Sequence, residues 1–162
     1  MDIFNKGLTG EFYVLAQLNA RGFDASLTLG NTKGIDIIVM NNINNKGYKV
    51  EVKTTTNKPL KEKLFSKFHN GNLCYHWILS KKNESYIADN LIYCFVHISD
   101  LNKMPKFYLV HSSEVANYVT SQHKYYLSTR KTTPKSDSSM RKFRIEVDDP
   151  NNYENNWSLL ER

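Results

Sequence analysis

The sequence predicts a single α/β domain in which a central mixed β-sheet is flanked by helices. Three observations carry this: an apolar 0, 4, 7, 8 spacing over Leu8 to Arg21, three short apolar segments in close succession behind it, and turn residues between them. With 162 residues and 40 % apolar content the chain buries about 70 % of the surface its unfolded form exposes, enough for one core without a disulfide or metal staple. One domain over residues 1–162 is therefore expected.

In the first segment, Leu8, Phe12, Leu15 and Ala16 share one helical face, and Gly22 follows as a stop. Phe23 to Leu29, Ile35 to Met40 and Tyr48 to Thr55 read as strands. Gly30 to Gly34 separates the first two, and an Asn-rich turn ending at Gly47 the last two. Further on, the patterns predict a short helix near Leu60 to Phe68, strands over Leu91 to Ile98 and Lys106 to Val110, a helix starting at Ser112 or Ser113 with Val115 and Val119 inward, and a strand over Lys142 to Val147. Cys74 to Leu79 fits either state. Ser128 to Met140 is rich in hydroxyl and cationic residues without an apolar period, which reads as a mobile basic loop.

The longest apolar run, Leu91 to Val96, is far below the roughly 18 residues a membrane span needs, and Met1 to Lys6 have no signal-peptide character. Two cysteines, Cys74 and Cys94, in such a chain fit a reducing cytoplasm and packing roles. Cys74–His76 and Cys94–His97 are poorly spaced for a zinc knuckle, and Gly30 to Gly34 lacks the Gly-Lys-Ser/Thr end of a phosphate loop.

The net charge of +6 is unevenly spread. Lys53 to Lys67 holds five lysines against Glu62 alone, and Lys124 to Arg144 seven Lys or Arg against Asp137 alone. Both patches suit an acidic partner.

Three acids stand out from their surroundings. Placed at about 100° per residue, Val14, Leu18, Leu15, Leu8, Phe12 and Ala16 fill one arc of the first helix and Glu11 falls inside it, where a carboxylate needs a cation, a metal or hydrogen bonds. The plainer alternative is an acid at the edge of the stripe that gains from the helix dipole. Asp36 is the only charge in Ile35 to Met40, a strand apolar on both faces; taken alone, it also suits a turn cap. In Tyr48 to Thr54, alternation puts Lys49, Glu51 and Lys53 on one face, which by itself also describes a solvated face. A hairpin closed by Asn42 to Asn45 would set Met40 against Gly47 and Asp36 against Glu51, with Cβ atoms about 5 Å apart. Two carboxylates so close repel unless a divalent cation neutralises them, as Mg2+ does in sites built on one or two carboxylates plus substrate phosphate.

Glu11 in a first helix, Gly34-Ile35-Asp36 opening a strand and Glu51-Val52-Lys53 on the next resemble the PD-(D/E)XK nuclease superfamily over about residues 7 to 56, with Ile35 in place of the proline. The resemblance implies a restriction-endonuclease-like core of order α-β-β-β-α-β and Mg2+-dependent hydrolysis of DNA phosphodiester bonds, with Mn2+ as a substitute. It implies Glu11, Asp36, Glu51 and Lys53 as catalytic residues. Asp36, Glu51 and the Val52 carbonyl would hold the metal, Glu11 a second metal or its water, and Lys53 would orient water and offset charge. The substrate grip would come from Lys58, Lys61, Lys63, Arg130, Lys131, Lys135, Arg141, Lys142 and Arg144, phosphate readers by type. One site per chain suggests a homodimer for cutting both strands. The alternative is a catalytically inactive nucleic-acid-binding domain of the same fold.

Overall fold

The structure is a computed structural model and describes residues 3–28, 34–129 and 137–161. Helix α1 spans Ile3–Ala20. It ends where Gly22 takes φ +84° and its N–H bonds the carbonyl of Asn19 at 3.0 Å, a left-handed closure that glycine adopts without a Cβ clash. Strands β1 (Asp24–Leu27), β2 (Ile37–Asn41) and β3 (Lys46–Thr55) follow as an antiparallel meander. The turn at 42–45 closes through side chains: Asn41 Oδ1 accepts from the Ile43 N–H at 2.9 Å, and Asn44 Oδ1 from the Lys46 N–H at 3.0 Å.

The chain continues through β4 (Cys74–Ser80), β5 (Leu91–His97), β6 (Lys106–His111), helix α2 (Ser112–Thr129) and β7 (Met140–Glu146). The main sheet has the order β1-β2-β3-β5-β6. Its β3–β5 pair is parallel and the other three are antiparallel, so the sheet is mixed. Strands β4 and β7 pair antiparallel in a second, two-stranded sheet.

Alternation along the central strands makes two cores. One face of the main sheet, with Ile37, Val39, Val50, Val52, Cys94 and Val96, meets Val14 and Leu18 of α1 and Trp157 and Leu160 near the C-terminal end. The other face, with Leu91, Tyr93 and Phe95, meets Trp77, Phe143, Val115 and Val119 of the small sheet and α2. Phe95 and Phe143 stack at 4.6 Å between ring centroids, and the Trp77 indole donates to the Val96 carbonyl at 2.9 Å. Strand β5 is buried at every position, as a strand covered on both faces must be.

The predicted elements are present with shifted details. The short helix is a single 3-10 segment, Lys63–Phe68, and Cys74 to Leu79 is a strand. The crossover from β3 to the parallel β5 therefore carries a strand as well as a helical turn, and the second long helix follows β6. Helix α2 runs on through Ser128 and Thr129, and β7 begins at Met140; Arg130, Lys131 and Lys135 of the expected basic loop lie outside the described residues.

The face of α1 is the main correction. Of the predicted inner arc, Val14 and Leu18 are buried as expected, but Leu8 and Phe12 are 44 % and 52 % exposed and Ala16 is exposed, and Gly10 is buried in their stead. The helix seats on β3 through Gly10: a Cβ there would stand 1.9 Å from Thr54 Oγ1. The closest approach is set by the smallest residue, which hydrophobic spacing does not register.

Candidate active site

Asp36 sits one residue ahead of β2. Its N–H donates to the Val50 carbonyl at 2.9 Å, and with Ile37 opposite Val50 it stands opposite Glu51. Its Oδ2 accepts the Val52 N–H at 2.7 Å, so the acid is tied to the peptide that joins Glu51 to Lys53. Glu51 projects from the middle of β3 on the face away from α1 and is 1 % exposed. Lys53 points the same way, with its Nζ 2.7 Å from Glu51 Oε1 and its side chain 30 % exposed. Both Glu51 carboxylate oxygens lack a hydrogen-bond donor among the described residues, in spite of that ion pair.

Gly34 and Tyr86 pack against Glu51. Gly34 has φ +75°, and a Cβ on it would lie 2.8 Å from Glu51 Oε2 and 2.8 Å from Tyr86 Cε1. A side chain at position 34 would meet the carboxylate it flanks.

Burial pushes the Asp36 carboxyl above its ordinary value; the Val52 N–H and the Lys53 ammonium oppose the rise, and the Glu51 charge adds to it. Glu11, on α1, is also raised, first by burial and then by Asp36, with Lys53 pulling the other way. Glu11 thus shares the field of Asp36 and Lys53. Among the described residues no three His, Cys, Asp or Glu side chains converge as one metal-holding group. Burial first and the Glu51 charge second push the Tyr93 and Tyr86 hydroxyls up.

The donor set suits a divalent cation. Two carboxylates face one ammonium, Glu51 has two buried oxygens without a hydrogen-bond donor among the described residues, and hard oxygen donors of this kind are what Mg2+ takes.

The basic residues fall into two classes. Lys58, Lys61 and Lys63 are exposed. Arg141 and Arg144, expected as open phosphate readers, are buried instead. Arg141 Nε pairs with Glu84 Oε1 at 2.5 Å, and its guanidinium also donates to the Ser138 carbonyl at 2.6 Å. Arg144 donates to Glu62 and Gln122 and lies over the Phe65 ring at 4.2 Å. Lys142 is half-buried and pairs with Glu62 at 3.1 Å. A buried guanidinium must be paired, and these pairs tie β7 to the 60–68 segment and α2. Cys74 and Cys94 are free, buried and in different sheets, with the Cys74 thiol pushed up to about 11, chiefly by burial. Among the described residues no helix is long and apolar enough to cross a membrane.

No protein-family model matches the chain, and no curated protein does. Among solved structures it is similar to a bacterial homing endonuclease, I-Ssp6803I, with a TM-score of 0.58 and 13 % sequence identity, covering 99 % of this chain and 93 % of that one. At that identity the likeness is one of fold, and it extends over both chains nearly end to end.

Proposed function

We propose that this chain is a Mg2+-dependent DNA endonuclease whose site is Asp36, Glu51, Lys53 and Glu11. The observation that carries the reading is the buried Glu51 carboxylate, without a hydrogen-bond donor among the described residues, set opposite Asp36 and against Lys53. The fold it shares with a bacterial homing endonuclease supports the reading, as does the agreement of these four positions with the PD-(D/E)XK pattern.

Asp36 and Glu51 would hold the cation, with the Val52 carbonyl as a further oxygen. When bound, Mg2+ supplies positive charge for a phosphate oxygen and makes water more acidic. Lys53 holds a compact ammonium beside the carboxylates, where it offsets the negative charge that grows on the phosphoryl oxygens as water adds and the P–O bond breaks. Glu11, its carboxyl raised, would hold a water or a second cation on the α1 side. The exposed Lys58, Lys61 and Lys63 would bind the DNA backbone.

The test is nicking and linearisation of supercoiled plasmid at low salt with Mg2+, Mn2+ or EDTA, using wild type, Asp36→Ala and Lys53→Ala. Metal-dependent cleavage by wild type alone, with DNA binding retained by both variants in a gel shift, is expected. Cleavage by Asp36→Ala equal to wild type overturns the assignment.

A further inference from the structure

Resting on the nuclease reading, we infer that Lys82, on the turn after β4, is a phosphate-positioning residue of this site, its ammonium taking a phosphate of the bound DNA strand beside the Asp36–Glu51 pair.

The turn Lys81–Glu84 is a single 3-10 segment, anchored by three of its four side chains. Asn83 is 1 % exposed: its Oδ1 accepts the Ser80 N–H at 2.9 Å, and its Nδ2 donates to the Tyr93 hydroxyl at 2.7 Å. Tyr93 is the residue opposite Glu51 in the β3–β5 ladder, so the turn is pinned directly beside the candidate ligand. Glu84 pairs with Arg141 at 2.5 Å, and Lys81 with Asp137 at 3.2 Å. The chain leaving the turn brings the Tyr86 ring against Gly34 and Glu51. One short segment therefore reaches the site at both ends.

Lys82 is the side chain this anchoring leaves over. It is exposed, makes no side-chain ion pair or hydrogen bond among the described residues, and its charge is felt at Asp36. Lys53 is already engaged with Glu51 at 2.7 Å. A polyanion approaching two carboxylates needs a second cation, held on a rigid element at the rim, and Lys82 meets that requirement.

The test compares Lys82→Ala and Lys82→Arg in two assays. In the Asp36→Ala background, without cleavage, the salt dependence of duplex binding should become shallower by about 0.9 in log–log slope for Lys82→Ala and return for Lys82→Arg. In the otherwise wild-type chain, Lys82→Ala should cut plasmids about tenfold more slowly. Melting temperatures should match wild type, since no contact is removed. An unchanged slope overturns the inference, as does an unchanged cleavage rate, and both leave the nuclease reading standing. Failure of wild type to cleave with any metal counts against that reading, while the slope still decides whether Lys82 meets phosphate. Absence of DNA binding at low salt overturns both.

Discussion

Glu51 combines nearly complete burial with two carboxylate oxygens that find no hydrogen-bond donor among the described residues, beside a single ammonium. A folded chain tolerates such a group only where the surroundings are fixed by other contacts, and Gly34 is one of them. Gly34→Ala should cost about 1–2 kcal/mol, because L residues resist φ +75° and the new Cβ would stand 2.8 Å from Glu51 Oε2. Thermal melting measures the stability loss. Plasmid cleavage should fall further than that loss explains, as the carboxylate is displaced; a stable, fully active Gly34→Ala would contradict the packing described. The sequence singled out Asp36, Glu51 and Lys53 because charge in an apolar strand and same-face alternation are local features. Tyr86 and Lys82 have no such signal, since only the fold carries their turn to β3.

The seating of α1 on β3 reverses an ordinary propensity. Glycine to alanine inside a helix normally gains about 0.5–1 kcal/mol, yet a Cβ at Gly10 would stand 1.9 Å from Thr54 Oγ1. Gly10→Ala should therefore destabilise by about 1–3 kcal/mol in urea unfolding. Thr54→Ala alone should cost little, since the hydroxyl it removes is buried without a partner. The double variant should recover part of the loss, and strict additivity would rule out this contact as the cause. Periodicity found the helix and its buried Val14 and Leu18 but drew the inner face too far toward Leu8 and Phe12, for the same reason: these outweigh a glycine in any hydrophobic pattern, but the glycine lets the backbone approach.

The small sheet, the 60–68 segment and α2 are joined through Arg144, Glu62, Lys142 and Gln122. Arg144→Ala should cost about 1.5–3 kcal/mol, since it removes one of the two cations on Glu62 and the bond to Gln122 while Lys142 still pairs Glu62, measured as a shift of the urea midpoint. Burial opposes ionisation of Glu62, but Arg144 and Lys142 more than offset it and hold the carboxyl below its ordinary 4.5. The unfolded chain then takes up its proton first as pH falls. The contribution is complete above about pH 4.5 and disappears as pH drops through the lower folded value. Glu62→Gln should consequently be less stable than wild type at neutral pH and match it in strong acid; a gap that persists there would contradict the electrostatic account. Asp137 behaves alike: bonded to His123 at 2.7 Å and to Lys81, it is held at about 2, so its share fades between about pH 4 and pH 2.

By itself the sequence determined the α/β class, the opening order of one helix and three strands, and the β2–β3 register, with Met40 opposite Gly47. These follow from period, turn chemistry and neighbours a few residues apart, which act locally. The tertiary structure alone decided the extent of the buried face of α1 and its seating on Gly10, the strand state of β4, the burial of Arg141 and Arg144 and the placing of the Lys81–Glu84 turn beside Glu51. Each depends on contacts between residues far apart in the chain, where shape and desolvation outweigh local preference.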